Sequence, residues 1–255
     1  MLNQRLALVQ VRITQACQRG GRDPAAMTMV CVTKGVPVAT IQEALRLGVM
    51  DLGENRVQET RNKQEALGAR SKVQGASVQD HRLEPCALNL TPVRWHLIGH
   101  LQRNKAKEAA TLFDVIHSVD SVRLAEELER QAERQGQELE VFVQVNVSGE
   151  TTKFGCQPQE AAGLAHRMTE LPHLRLQGLM TIAPFTDDPE DARPHFRRLR
   201  ELRDALQAEL FHPASSIQHP ALLLSMGMSQ DFEVAIEEGA DVVRIGTAIF
   251  AGQGA

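Results

Sequence analysis

The segment "MTMVCVTKGVP", residues 27–37, shows the pattern that decides the fold. Residues 29–34 form an apolar run with β-branched side chains, which predicts a buried strand, and Gly35 and Pro37 end it. Similar runs recur along the chain, and segments with helical spacing lie between them. The eight predicted strands are 28–34, 49–53, 93–99, 114–119, 140–147, 174–182, 221–226 and 241–250. Because strands that alternate with helices form right-handed parallel crossovers, the sequence predicts an α/β fold.

The number of strands favours one closed barrel. Eight strand and helix units in 255 residues are typical of a single (β/α)8 barrel of the TIM type. An open doubly wound sheet is the alternative, but it usually carries a G-x-G-x-x-G turn after its first strand, and "KGVPVA" at 34–39 lacks that spacing. We therefore predict one barrel domain over 1–255, in which the long polar segment 68–92 is a surface insertion.

Helical spacing is clearest in three segments. Apolar residues three and four apart predict an amphipathic helix over 2–18, and similar stripes predict helices over 121–135, ended by Gly136, and over 194–210. The chain ends at Ala255, so we expect no helix after the eighth strand. The amino-terminal helix is expected to cover the side of the barrel that is left bare.

Composition excludes several classes of function. The net charge is −4, so no overall field attracts nucleic acid or an anionic membrane. The four cysteines, at positions 17, 31, 86 and 156, form no C-x-x-C pair, which argues against a zinc ribbon or a disulfide-rich secreted domain. Neither a signal peptide nor an apolar run of eighteen residues is present. We expect a cytoplasmic protein.

Polar residues lie at or just after the carboxyl ends of the predicted strands, at the rim where a barrel places its functional side chains. They are Lys34, Glu54, Asn55, His100, Ser118, Asn146 and Ser225. Serine and glycine are common in turns, so they carry little weight alone. The lysine and the two asparagines on one rim are less easily explained as turn residues.

The eighth predicted strand is the most informative. Arg244 and Gly246 are two residues apart, so they face the same side of an extended chain, and an inward arginine needs an anion or another acceptor. Gly246 and Thr247 offer backbone N–H groups and a hydroxyl, and Ser225 and Gly227 lie at the end of strand seven. Each residue alone is typical of a core ion pair or a turn. Together they favour a phosphate site, which barrels often build after strands seven and eight.

Lys34 admits two interpretations. Most lysines at strand ends reach water through an apolar stem, whereas a barely exposed amine is a candidate nucleophile. A closed barrel brings strand one beside strand eight, so this amine would lie next to the phosphate site. A ligand with an aldehyde and a phosphate would join the two. Pyridoxal 5′-phosphate (PLP) is such a ligand, with Lys34 as the partner of its aldehyde.

Long motifs now carry a resemblance. In order, "VCVTKGVP", "LGENRVQE", "WHLIGHLQRNK", "IHSVDS", "VNVSGE", "GLMTI" and "LSMGMSQDFEVAIEEGADVVRIGTAIFA" resemble the pyridoxal phosphate homeostasis protein family. The members of this family are single-domain relatives of the alanine racemase barrel, which is called PLP fold type III. The resemblance covers nearly the whole chain apart from 68–92.

The resemblance assigns roles to individual residues. It implies that Lys34 carries PLP as an internal aldimine, that Arg244 contacts the pyridine nitrogen and that Asn55 lies near the ring. The residues that it implies for the phosphate are Ser225, Gly246 and Thr247. The tyrosine that usually follows "GEN" in the family is an arginine here, at position 56, and no role is transferred to it.

The family reading implies a carrier rather than an enzyme. An arginine donor leaves the ring nitrogen unprotonated and so weakens the electron sink that carbanion chemistry needs. Racemisation also needs an acid or base on each face of the α-carbon, and this chain contains no tyrosine. We expect a monomer that buffers PLP or delivers it to apo PLP-dependent enzymes in vitamin B6 homeostasis, with no nucleic acid or membrane partner. A racemase or related enzyme whose second base is a cysteine or histidine stays open.

Histidine spacing suggests a metal site that geometry argues against. His96 and His100 form H-x-x-x-H, but four residues of a strand span about 13 Å, too far for one ion. We predict that His96 is a packed core residue. No partner for His117 is found at motif spacing.

Overall fold

The chain forms a closed barrel of eight parallel strands in sequence order. The computed structural model describes residues 1–68, 93–210 and 221–251. The strands are β1 (Thr28–Val32), β2 (Asp51–Glu54), β3 (Arg94–Leu97), β4 (Val115–Val119), β5 (Leu139–Gln144), β6 (Leu174–Met180), β7 (Leu223–Ser225) and β8 (Val242–Ile245). Strand β8 pairs with β1 in a register that sets Val30 beside Arg244. The predicted (β/α)8 barrel is confirmed, and the predicted insertion, apart from its first residue, lies outside the described residues.

Helices surround the barrel. They are α1 (Leu2–Arg19), α2 (Val38–Arg46), α3 (Val57–Leu67), α4 (Ala106–Leu112), α5 (Val122–Gln135), α6 (Ala161–Thr169), α7 (Arg193–Leu210), α8 (Phe232–Glu237) and α9 (Thr247–Phe250). The three helices predicted from the sequence correspond to α1, α5 and α7. Gly136 ends α5 in the left-handed conformation, with a φ of 58°, as predicted.

The expectation of no helix after the eighth strand is wrong. The apolar run 241–250 looks continuous in the sequence, but β8 ends at Ile245 and the one-turn helix α9 begins at Thr247. Ile249 and Phe250 are buried, and α9 packs against α1. Helix α1 also packs against α8, so it does cover this side of the barrel.

The interior of the barrel is divided between apolar and polar residues. Val30, Val115, Phe142, Met180 and Val242 form a buried apolar cluster of their own, separate from the larger core between the strands and the helices. Residues His96, His117, Ser225 and Arg244 are also buried and are hydrogen-bonded to one another. Among the described helices, none is both long enough and apolar enough to cross a bilayer.

Candidate functional site

A cavity of about 450 Å³ opens at the carboxyl ends of the strands. Its walls include Val32, Asn55, Ile98, Gln144, Arg244 and Thr247. These residues come from the ends of β1, β2, β3, β5 and β8, so the cavity occupies the position where TIM barrels bind their ligands. The size falls within the range of small-molecule sites.

Arg244 is the buried cation of this cavity. Its residue is 2% exposed, its Nη1 donates to Ser225 Oγ at 2.6 Å, and its Nη2 donates to the carbonyl oxygen of Thr181 at 2.8 Å. Burial lowers the pKa of Arg244 to about 10, with Asp231 acting in the opposite direction, so the side chain is charged near neutral pH. The acceptors that an inward arginine needs are therefore the Ser225 hydroxyl and the Thr181 carbonyl group. These two hydrogen bonds hold the Arg244 guanidinium, a hydrogen-bond donor, at the cavity wall.

Two backbone amides after β8 meet at one hydroxyl. The N–H groups of Gly246 and Ala248 both donate to Ser229 Oγ at 3.2 Å, and Ser229, Gly246 and Thr247 all line the cavity. A Cβ at Gly246 would lie 3.2 Å from Val32 Cβ, a tight contact, so glycine makes it easier for the chain after β8 to approach β1 this closely. Converging amides of this kind bind anions.

Ser225 has a different place from the one expected. It is fully buried, and it pairs in register with Val242, which lies two residues before Arg244 on β8. Its hydroxyl lies between His117 Nδ1, at 2.9 Å, and Arg244 Nη1. The serine that reaches the amides is Ser229, the second serine of "SMGMS", which the sequence analysis did not select.

Asn55 lines the cavity directly after β2, as predicted. A Cβ at Gly99 would lie 2.3 Å from the Asn55 carbonyl oxygen, so a glycine is required where the two loops meet. Arg56, to which no role was transferred, is exposed and precedes α3. The other rim residues divide: His100 lines the cavity, whereas Asn146 is buried away from it.

Lys34 lies in the turn after β1 and is exposed, so the expectation of a barely exposed amine is wrong. Strand β1 ends at Val32, and the turn 33–36 is closed by a hydrogen bond from Val36 N to the Thr33 carbonyl oxygen at 2.9 Å. Lys34 occupies the corner of this turn and has no hydrogen bond or ion pair with any residue in the described ranges. It stands two residues beyond Val32, which lines the cavity.

A second lysine, on α3, holds that turn in place. Lys63 Nζ donates to the carbonyl oxygen of Thr33 at 2.6 Å and to Glu54 Oε1 at 2.6 Å. Glu54 is fully buried, and burial raises the pKa of its carboxyl group against the opposing hydrogen bonds from Lys63 and Thr33. The sequence analysis missed Lys63, and its spacing of nine residues from Glu54 gave no motif to find it by.

Glu59 is a third member of the charged cluster that holds this turn. Its Oε1 accepts from Lys63 Nζ at 2.8 Å and from the backbone N–H of Gly35 at 2.8 Å. Burial alone would raise the pKa of Glu59, but the Gly35 amide and the Lys63 ammonium together lower it. The residues on both sides of Lys34 are therefore fixed by one cluster of charges.

The described histidines were tested as metal ligands. Within the described part of the chain, no group of three or more His, Cys, Asp or Glu residues could hold a metal ion. His96 is buried in the core, as predicted, and His117, for which no partner was found in the sequence, contacts His96 and Ser225. His100 stacks on Phe154, with ring centroids 3.9 Å apart, at the cavity wall.

Fold and site together define a class: TIM-type barrels with a cavity of small-molecule size that is lined by a buried arginine and by the loop after β8. Among known families, the model of the alanine racemase N-terminal domain matches residues 9–253. The pyridoxal phosphate homeostasis protein of Aquifex aeolicus is 43% identical over 97% of this chain and 96% of its own length, and that of Pseudomonas aeruginosa is 40% identical over 96% and 93%. The chain belongs to the pyridoxal phosphate homeostasis proteins, within the alanine racemase N-terminal domain family.

Solved structures agree with this assignment. PipY of Synechococcus elongatus, solved with PLP bound, is 31% identical and has a TM-score of 0.76, covering 98% of this chain and 100% of that one. An alanine racemase of Clostridium difficile has a TM-score of 0.67 at 14% identity, and the match covers 98% of this chain and 56% of that one. The second likeness shows a shared barrel fold alone.

Proposed function

We propose that this protein binds PLP in the cavity and acts as a carrier in intracellular vitamin B6 homeostasis. The observation that carries the proposal is one cavity that holds both a charged arginine and two converging backbone amides. The name shared by its relatives and the bound PLP of PipY support it. We further propose that it is a cytoplasmic monomer and that apo PLP-dependent enzymes receive the cofactor.

The donors in the cavity fit the phosphate of PLP. The amides of Gly246 and Ala248, with the hydroxyls of Ser229 and Thr247, would hold this group. Ser225 was expected to share this role, but its hydroxyl is already engaged by His117 and Arg244. We therefore assign the phosphate contact to Ser229 in its place.

Arg244 fits the pyridine nitrogen. A protonated arginine only donates hydrogen bonds, so the ring nitrogen that it meets must be an acceptor. When bound, PLP supplies an aldehyde for primary amines, and an unprotonated ring nitrogen makes it a weaker electron sink. This property suits storage and transfer better than carbanion chemistry. Asn55 would lie beside the ring.

Lys34 would supply the amine for the aldehyde. It follows the strand whose last residue, Val32, lines the cavity, and no described polar group competes for its amine. An exposed attachment point is also accessible to the amine of a recipient. The exposure of Lys34 therefore supports a protein to which PLP can be attached and from which it can be released.

One observation favours the rival, an amino-acid racemase without tyrosine. His100 lines the cavity, and its Nδ1 lies 3.4 Å from Asp120 Oδ2, so an oriented acid or base is present. The cysteine version has less support, because burial raises the pKa of Cys31 and of Cys156 to about 12.

Borohydride reduction of the PLP-loaded protein, followed by arginine-specific cleavage and mass spectrometry, tests attachment. The pyridoxyl group is expected on the peptide 23–46, which contains Lys34, and is expected to vanish in Lys34→Ala. Lys107→Ala, an exposed lysine on α4, is the matched control. A colourless protein with no adduct would contradict the proposal.

Proton exchange separates the carrier from the rival. The loaded protein is incubated with L-alanine and other L-amino acids in deuterated buffer, and deuterium at the α-carbon is measured. A carrier gives no exchange above free PLP. Exchange at enzymatic rates that disappears in His100→Ala would establish the rival.

A further inference from the structure

Five side chains form a continuous line of hydrogen bonds through the barrel interior, which we call the polar file. From the amino-terminal end of β2 to the cavity they are Asp51, His96, His117, Ser225 and Arg244. Asp51 Oδ1 lies 2.8 Å from His96 Nε2, and His96 Nδ1 lies 2.9 Å from His117 Nε2. His117 Nδ1 lies 2.9 Å from Ser225 Oγ, which accepts from Arg244. The file thus connects the far end of the barrel to the cavity.

The two ends of the polar file fix the direction of its hydrogen bonds. A guanidinium can only donate, and a carboxylate can only accept. Asp51 Oδ1 also lies 3.9 Å from Arg94 Nη1, so this end of the polar file faces a cation. Since Arg244 donates to Ser225, the serine proton is free for His117 Nδ1.

The histidines must then carry single protons on Nε2. Burial holds the pKa of His117 well below its usual value, and the positive charge of Arg244 acts in the same direction, so this ring is neutral. Its Nε2–H donates to His96 Nδ1, and His96 Nε2–H donates to Asp51. In the opposite arrangement, His96 would be charged and the Ser225 proton would have no acceptor among the hydrogen bonds of the described residues.

We propose that the polar file is a one-way relay of hydrogen bonds in which Asp51, His96 and His117 are positioning residues for Arg244. The relay keeps the Ser225 oxygen turned toward Arg244 as an acceptor. Ser225 and Thr181 then prevent the guanidinium from rotating, and its remaining donors are presented to the cavity.

Packing holds the relay in register. The His117 ring stacks on Phe142 with centroids 4.5 Å apart and an angle of 9° between the planes. The ring therefore cannot tilt away from either neighbour. The consequence for PLP rests on the proposed function, but the direction of the relay does not.

Nuclear magnetic resonance of the ligand-free protein tests the direction. With ¹⁵N-labelled histidine at neutral pH, two-bond ¹H–¹⁵N correlations distinguish the tautomers, and His96→Gln and His117→Gln assign the signals. Both rings are expected as neutral Nε2–H forms. A charged His96, or an Nδ1–H form of either ring, would overturn the proposal.

A variant at the far end tests the coupling. Asp51→Ala removes the terminal acceptor, so His117, which does not contact Asp51, is expected to become a mixture of tautomers. Glu129→Ala, which removes the partner of His173 outside the polar file, should leave the His117 signals unchanged. A His117 tautomer unaffected by Asp51→Ala would show that the contacts are independent and would refute the relay.

Cofactor affinity gives a second readout. Asp51→Ala is expected to raise the Kd for PLP by about three- to tenfold, the scale of one weakened hydrogen bond, and Asp51→Asn, which still accepts, should restore it. An unchanged Kd in Asp51→Ala would count against positioning of Arg244. If the tautomers are as expected and wild-type protein fails to bind PLP, the proposed function alone is wrong.

Discussion

Two lysines belong to the turn after β1 or contact it, and their environments are opposite. Lys63 is 6% exposed and its ammonium is surrounded by Thr33, Glu54 and Glu59, whereas Lys34 is exposed and has no described polar partner. Burial alone would make Lys63 a candidate nucleophile, but its ammonium already donates hydrogen bonds to three acceptors. The buried lysine therefore fixes the turn, and the exposed lysine on that turn is the one whose amine has no polar partner among the described residues.

The largest difference should appear in covalent attachment. Lys34→Ala is expected to lose the pyridoxyl adduct completely, and because the side chain is exposed, the free energy of unfolding should change by no more than about 0.5 kcal/mol. Arginine-specific cleavage separates the two lysines into peptides 23–46 and 62–70. An adduct on peptide 62–70 in wild-type protein would show that Lys63, and not Lys34, binds the aldehyde.

Stability should show the converse. Lys63→Met leaves Glu54 buried without its cation, and removal of one partner from a buried ion pair typically costs about 3–5 kcal/mol. Urea denaturation measures the loss. Lys107→Met, on the exposed face of α4, is the control and should change stability by no more than about 0.5 kcal/mol. A similar small change in both variants would remove the anchoring role of Lys63.

Glu59 tests how tightly the turn is held. Glu59→Ala removes the acceptor of both the Gly35 amide and the Lys63 ammonium, and the expected loss of stability is about 2 kcal/mol, the net value of two hydrogen bonds. Hydrogen exchange at the Gly35 amide should become faster. Glu65→Ala, exposed on the same helix, is the control. Unchanged exchange at Gly35 would mean that the turn does not need α3.

The smallest effect concerns pH. The folded-state pKa of Glu59 is lowered, so the stability it contributes is present above about pH 4.5 and is lost as the pH falls through the folded value. Glu59→Gln, which keeps an acceptor but not a charge, should flatten the loss of stability on acidification. Urea denaturation at several pH values between 3 and 7 measures it. Parallel profiles for the two proteins would contradict the assignment.

The sequence was sufficient for the barrel and for much of the cavity. Period and strand count predicted the closed sheet, and alternation along β8 predicted that Arg244 and Gly246 face inward together. Residue-level contacts were harder. The first serine of "SMGMS" ends β7 and the second lies in the loop after it, and the choice between them depends on the left-handed turn at Gly227, with a φ of 91°, which brings Ser229 back to the β8 amides.

The polar file was beyond sequence reasoning for a different reason. His96 and His117 belong to different strands, and their contact requires the register of β3 against β4, which no local spacing reveals. The exposure of Lys34 was missed because the apolar run 28–34 extends two residues past the point where the strand ends. Tertiary pairing and turn geometry decided these details.

Ser229 has a consequence for release. Its hydroxyl oxygen accepts from the amides of Gly246 and Ala248, so a phosphate that left these amides would leave neither N–H group without an acceptor. Loading and unloading then exchange one acceptor for another at little net cost in free energy. Under the proposed carrier function, this exchange of acceptors would lower the free-energy cost of releasing PLP to a recipient.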